Sequence, residues 1–267
     1  MLDLDATLAA LSRQFSLEPD ELDRPARLLR LQHRYLTEHP PARELPEEAR
    51  LATRSRLASG EAVIPRERLG VDSARWSTFF AELTRALRPT WQSPPADELE
   101  LVLDRAHAAV LGGDGRGVLQ ALAPLDLEDT VAAALLREAT KPERLRLTEP
   151  LQSYLGEPSD TPGCPTCRGR PAAGTAQGRL LCEDCGSCWT WSGRTCPSCG
   201  DSNLRRWELE VLPGLQLVAC REAHVLPLFD CDDEPLGLSL HGVMAAPFVL
   251  AARVQLGGAP RLDFPIF

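Results

Sequence analysis

Cys164-Pro-Thr-Cys167, Cys182-Glu-Asp-Cys185 and Cys196-Pro-Ser-Cys199 are three C-x-x-C pairs in one short stretch of chain. A fourth segment, Cys220-Arg-Glu-Ala-His224, looks like such a pair with its second cysteine replaced. All nine cysteines fall between residues 164 and 231, and the first 163 residues contain none. A C-x-x-C turn puts two sulfurs on one side of a tight loop, where backbone N–H groups point at them. Glycine after the second cysteine relieves the backbone there. Cys185-Gly186 and Cys199-Gly200 fit directly, whereas Cys167 is followed by Arg168 and only then Gly169. Two such knuckles face to face make the Cys₄ set of structural zinc or of mononuclear iron.

Sequential pairing is the simplest. Cys164 and Cys167 join Cys182 and Cys185 in site one, across a gap that suits a β-hairpin. Cys196 and Cys199 form the first half of site two, with Cys220 as partner. Ala223 occupies the position of the fourth cysteine, and His224 follows, so that C-x3-H closes a Cys₃His site. Cys188 and Cys231 are alternative fourth ligands, an emptied second site is another outcome, and the knuckles also allow an interleaved pairing. Zinc and iron (Zn²⁺ or Fe²⁺/Fe³⁺) both suit the donors, one or two ions per chain.

The chain around these pairs is long and moderately acidic. It has 267 residues, 43% of them hydrophobic, and a net charge of −9. That supports a real core and argues against a protein whose main work is gripping phosphate backbones. Residues 164–267 carry 9 arginines against 11 acidic residues, so no basic module hides in the cysteine region. Lys141 is the only lysine. The N-terminus lacks a basic stretch followed by an apolar one, so no secretory signal is expected. The run from Leu236 to Ala252 is broken by Ser239, His241 and Pro247 and is short for a membrane span. A cytoplasmic protein with reduced thiols is expected, which favours metal ligands over disulfides.

Residues 1 to about 156 read as helices. Trp76, Phe79, Phe80, Leu83 and Leu87 put one apolar stripe on a helix over 72–88, capped by Asp72 or Ser73 and stopped by Pro89. A second helix is expected over 97–111, with Leu99, Val102, Leu103, Ala106 and Val110 inward. A third starts at Asp126. Weaker helical patterns cover 3–15, 24–38, 46–58 and 142–155. The turn-rich segment Gly156–Gly163 is a connector. Beyond it short strands are expected at 178–181, 189–191, 206–211 and 215–219, then a helix over about 239–256. Trp189 and Trp191 are read as packing over the metal loops. His33, His39, His107 and His241 form no ligand pair.

No H-E-x-x-H, G-x-S-x-G, phosphate-loop or dinucleotide glycine signature accompanies the cysteines. Site one has all four positions filled by thiolates, whereas a catalytic zinc keeps one open for water. The protein is therefore expected not to be an enzyme, and no catalytic residue is assigned.

The order and spacing resemble the FdhE family of formate dehydrogenase accessory proteins. The likeness rests on Cys164-Pro-Thr-Cys167, Leu180-Leu-Cys182-Glu-Asp-Cys185, Trp189, Cys196-Pro-Ser-Cys199, Cys220 and the proline- and phenylalanine-bearing tail. Ala223 departs from the pattern at the last cysteine. The resemblance implies an α+β, mostly α fold: a helical domain (1–156), a first rubredoxin-like or zinc-ribbon metal module (157–195), a second, degenerate or rebuilt one (196–235), and a C-terminal helix and tail (236–267). It also implies a cytoplasmic assembly protein that binds the formate dehydrogenase catalytic subunit, with neither nucleic acid nor membrane insertion. Two other readings compete, a zinc-ribbon nucleic-acid binder and a rubredoxin-like electron carrier or redox sensor.

Overall fold

The computed structural model describes residues 9, 12, 19–41, 44–65, 69–209 and 214–230. Among the described residues six α-helices of eight residues or more come first: α1 (Pro19–Glu38), α2 (Glu47–Ala58), α3 (Ser73–Leu87), α4 (Ala96–Leu111), α5 (Gly115–Leu122) and α6 (Asp129–Thr148). Six strands follow: β1 (Pro171–Thr175), β2 (Arg179–Cys182), β3 (Cys188–Thr190), β4 (Arg205–Glu208), β5 (Leu215–Ala219) and β6 (Val225–Phe229). The chain is thus α+β with helix predominating, as its sequence indicates.

Helix α3 is the centre of the helical half. Asp72 caps it, accepting the Arg75 N–H at 3.1 Å, and Pro89 lies just beyond its end. Its stripe of Trp76, Phe79, Phe80 and Leu83 is buried against Leu28 and Tyr35 of α1, Leu99 and Leu103 of α4, and Leu135 and Ala139 of α6. Each such side chain contributes about 1.5–3 kcal/mol when removed from water. Helix α5 was not expected, since no pattern was assigned between the helix over 97–111 and the one starting at Asp126. Asp114 starts the helix by accepting the Gly117 N–H at 2.9 Å.

Helix α6 carries Pro142 in its interior. Proline has no N–H to give the carbonyl four residues back, which is Glu138. Gln32 of α1 supplies the missing donor, its Nε2 lying 3.0 Å from the Glu138 carbonyl. The pattern starting at Asp126 and the beginning of the one over 142–155 are thus one helix, which continues to Thr148. A 3₁₀ stretch, Glu149–Tyr154, then leads into the connector.

The strands form one sheet in the order β3-β2-β1-β6-β5-β4. All neighbours are antiparallel except β1 and β6, which pair in parallel through Gly174–Leu228 and Thr175–Phe229. The three-stranded unit β1–β3 is thus followed by a second unit, β4–β6, set head to tail beside it in the same sheet. The second sheet core is made of Leu180, Trp189, Trp191, Val218, Leu226 and Leu228 together with Cys164, Cys167, Cys182 and Cys185. Trp189 and Trp191 are buried there, in the packing role their position beside the metal loops suggests.

No helix among the described residues is long and apolar enough to cross a membrane. The apolar run 236–252, the helix expected over 239–256 and nearly all of the one expected over 3–15 lie outside the described residues.

Candidate metal centres

The strand order brings the knuckles together. The 164–167 turn enters β1 and the 182–185 turn joins β2 to β3. The 196–199 turn precedes β4, and residues 220–224 join β5 to β6. The result is two clusters, Cys164–Cys167–Cys182–Cys185 and Cys196–Cys199–Cys220–His224, each with its ligand atoms all within 4.8 Å of one another. This is the sequential pairing, with His224 in the fourth position of the second cluster.

In site one the Cys164 and Cys185 sulfurs are 3.7 Å apart, and those of Cys167 and Cys182 are 3.5 Å apart. A disulfide needs about 2.05 Å. Sulfurs tetrahedrally placed 2.3 Å from a zinc ion would be about 3.8 Å apart. The spacing therefore fits a metal and not a cystine, and none of the eight described cysteines is in a disulfide. Backbone donors support the sulfurs: Thr166 N–H lies 3.3 Å from Cys164 Sγ and Gly169 N–H 3.3 Å from Cys167 Sγ.

Three knuckles share one closure. Arg168, Gly186 and Gly200 each donate to the carbonyl of the first cysteine of their pair, at 2.7, 3.2 and 2.8 Å. These three residues have φ of 65°, 73° and 81°, the left-handed region that glycine enters without strain. Arg168 takes this conformation without being glycine. The fourth turn is one residue tighter. Ala223, with φ of 56°, donates to Cys220 O at 3.1 Å, and Cys220 N–H bonds His224 O at 3.2 Å. The left-handed position has moved from the fifth residue to the fourth, where a cysteine would otherwise stand. The candidate donor stands one place further on, and the longer imidazole side chain reaches back: His224 Nδ1 is 3.4 Å from Cys220 Sγ.

Burial separates the two clusters. The four sulfur residues of site one are between 0% and 3% exposed. Burial drives the Cys164 and Cys182 thiols well above their ordinary range. Burial also opposes the Cys185 thiolate, but hydrogen bonds from Cys164, Cys167, Cys182 and Ser187 outweigh it and hold that thiol well below its usual value. Four buried thiolates without a cation would repel one another. A divalent ion removes that obstacle by displacing the protons. In site two Cys196 is buried and its thiol is pushed up to about 12 by that burial, but Cys199 is exposed and His224 half-buried.

Cys188 lies in β3, buried and outside both clusters, its N–H bonded to Gln152 Oε1 at 3.3 Å. It does not take the place of His224. Cys231, the other alternative, lies outside the described residues.

The helical region grips site one. Thr148 Oγ1 of α6 donates to the Cys185 carbonyl at 3.2 Å, and a buried Arg144 donates to the Asp184 carbonyl. Leu145 fills the space beside Gly186 so closely that a Cβ there would sit 2.8 Å from Leu145 Cδ2. On the other knuckle Ile64 N–H bonds Thr166 O at 2.8 Å, and Val63 N–H bonds Pro165 O at 3.3 Å. Sequence reasoning missed these contacts. Nothing in a helical pattern marks which residue will meet a loop forty positions away.

A solved structure resembles the whole chain. It is the FdhE protein from Pseudomonas aeruginosa, with a TM-score of 0.62 and 20% identity, covering 98% of this chain and 94% of that one. The chain has the FdhE fold. No family model matches it, and no curated protein matches it by sequence. The likeness to FdhE read from the cysteine motifs therefore extends through the helical half as well.

Proposed function

We propose that this protein is an accessory factor for formate dehydrogenase, and that it binds the catalytic subunit in the cytoplasm during maturation. The observation that carries the reading is the FdhE fold spanning nearly the whole chain, with both ligand clusters in place. On this reading the metals are structural. Cys164, Cys167, Cys182 and Cys185 hold one ion, and Cys196, Cys199, Cys220 and His224 hold another. Four thiolates closed around an ion leave no position for water, so site one offers no hydrolytic chemistry. The protein acts by presenting a surface and not by turning over a substrate.

Two measurements test this. Tagged protein purified from cells that make a molybdenum- or tungsten-dependent formate dehydrogenase should bring the catalytic subunit with it. Failure to associate in both metal-loaded and metal-stripped forms would refute the role. Metal analysis of the same preparation should give two ions per chain; a single ion would mean that the second cluster does not bind. The absorption spectrum separates iron from zinc, since thiolate-bound ferric iron is strongly coloured and zinc is not.

A further inference from the structure

A metal ion leaves a protein by stepwise ligand replacement: an outside donor must approach as each protein donor lets go. Access to the ligand atoms therefore decides how an ion is released, and the two clusters differ in access. At the first, Cys164, Cys167, Cys182 and Cys185 are between 0% and 3% exposed. One knuckle lies under Val63 and Ile64, whose N–H groups bond Pro165 O and Thr166 O, and the other under Thr148 and Leu145 of α6. A groove of 1030 Å³ between the helices and the first metal unit does reach this region, with Arg144, Cys167, Gly169 and Asp184 in its lining. Even there Cys167 is only 3% exposed.

At the second cluster Cys199 is exposed and His224 half-buried, while Cys196 and Cys220 are 3% and 5% exposed. Between the two metal units is a cavity of about 30 Å³, lined by Cys196, Cys220 and His224 together with Arg170 and Glu183 of the first unit. A space of that size has room for a water molecule. The second cluster is thus open on two sides, to solvent at Cys199 and to a water-sized space at the other three donors. The fourth donor differs as well. Imidazole brings no negative charge, so it draws a cation less strongly than a fourth thiolate would.

We propose that the second cluster is an exchangeable metal centre, from which an external thiol takes the ion by displacing Cys199 while the chain stays folded. The first cluster gives up its ion only when α6 lifts from the 182–185 knuckle. The exchange balances without a redox partner. The bond from Cys199 Sγ to the ion breaks as a bond from the incoming sulfur forms, and Cys199 takes up the proton that the incoming thiol loses. A thiol is the fitting class, because sulfur already supplies three of the four donors. The protein can in this way hand on one ion and keep the fold that the other secures.

This inference rests on the reading that the second cluster holds an ion, and the experiment separates the two. The full-length protein is loaded with zinc, and native mass spectrometry counts the ions per chain. A single ion, with Cys199 alkylated by iodoacetamide from the outset, would defeat that reading itself. With two ions bound, the dithiol dimercaptosuccinate is added in excess and the loss of zinc is followed. Two phases are expected, of one ion each. The faster should be proportional to dithiol concentration and unchanged by urea below the unfolding transition. The slower should lag by about 100-fold or more and accelerate with urea, because it waits for an opening that exposes buried surface. Iodoacetamide added between the phases should label Cys199 and spare Cys164, Cys167, Cys182 and Cys185. Thr148→Val, which takes a hydroxyl from the Cys185 carbonyl, should quicken only the slower phase, about 3- to 10-fold. An unchanged slower phase in that variant would overturn the part given to α6. A single phase, equal urea dependence of the two phases, or labelling of the first cluster before Cys199 would overturn the proposal.

Discussion

At the first cluster every sulfur is buried and both knuckles are clasped by the helical half, whereas at the second Cys199 is exposed and the fourth residue is a half-buried His224. The second cluster is braced by the connector and by its own loops. Gly163 N–H bonds Pro197 O at 2.7 Å, and the Asp201 carboxylate accepts the N–H groups of Asn203 and Arg221 at 2.9 and 3.0 Å. The same loop chemistry therefore serves two ends. One cluster is a core element, joined to the helices across long stretches of sequence. The other staples a hairpin to its neighbour at the surface.

The sharpest way to break this contrast is to remove one ligand from each cluster. Cys185→Ser should cost the protein its cooperative fold. Structural zinc sites contribute on the order of 10 kcal/mol, as much as a whole domain's net stability. Cys199→Ser should lose one metal ion and keep the helical circular-dichroism signal and melting transition. Equal damage from the two substitutions would show that the clusters are equivalent after all.

Glycine provides a second contrast. Gly186→Ala would force a side chain into a position with φ of 73° and against Leu145. The expected cost is about 2–4 kcal/mol, measured by denaturant unfolding. At the corresponding left-handed position of the second cluster the protein has Ala223, with φ of 56°. Ala223→Gly should instead stabilise that hairpin, by up to about 1 kcal/mol. This is the smallest effect predicted, and slower release of the second metal to a chelator would report it.

Between these in size is a pH effect confined to the site-one side. His107 lines the groove beside Arg144, and its Nε2 lies 3.1 Å from Leu69 O. Burial, reinforced by Arg144, lowers its pKa from 6.5 to about 4. The unfolded chain therefore binds this proton more readily than the folded one. The stabilisation is complete above pH 6.5 and is lost as pH falls towards 4, by up to about 3 kcal/mol. Urea midpoints for wild type and His107→Gln should converge over that interval. The difference between the two proteins removes the acid sensitivity of the metal sites, which both share.

Much of this architecture was legible in the chain. Periodic apolar stripes located α3 and α4, and the cysteine pairs marked the turns that the structure gathers into two groups. What escaped has identifiable causes. Strand β1 is Pro-Ala-Ala-Gly-Thr, with little side chain to mark a face. Strand β6, Val-Leu-Pro-Leu-Phe, is buried throughout and so shows no alternation. The helix starting at Asp126 and the pattern over 142–155 did not read as one element, because the donor that carries the helix past Pro142 is Gln32, more than a hundred residues earlier. His224 was visible as one of several fourth ligands. What favours it is a turn one residue shorter than its three counterparts, a backbone property that composition does not display. The contact of Arg144 with the Asp184 carbonyl had no sequence signal at all, since it depends on which loop α6 meets.

The parallel junction between β1 and β6 has a further consequence, for growth. Because the second unit follows the first head to tail, the first strand of one unit pairs with the last strand of the other. A contact of that kind does not close on itself and can in principle propagate from copy to copy into a filament. The exposed end of the row is β4, the second unit's counterpart of β1. It consists of Arg205, Arg206, Trp207 and Glu208, all solvent-exposed. Charged side chains on an edge strand discourage another strand from adding to it. The addition that β1 accepts within the chain is thus discouraged at β4, where the sheet of the described residues ends.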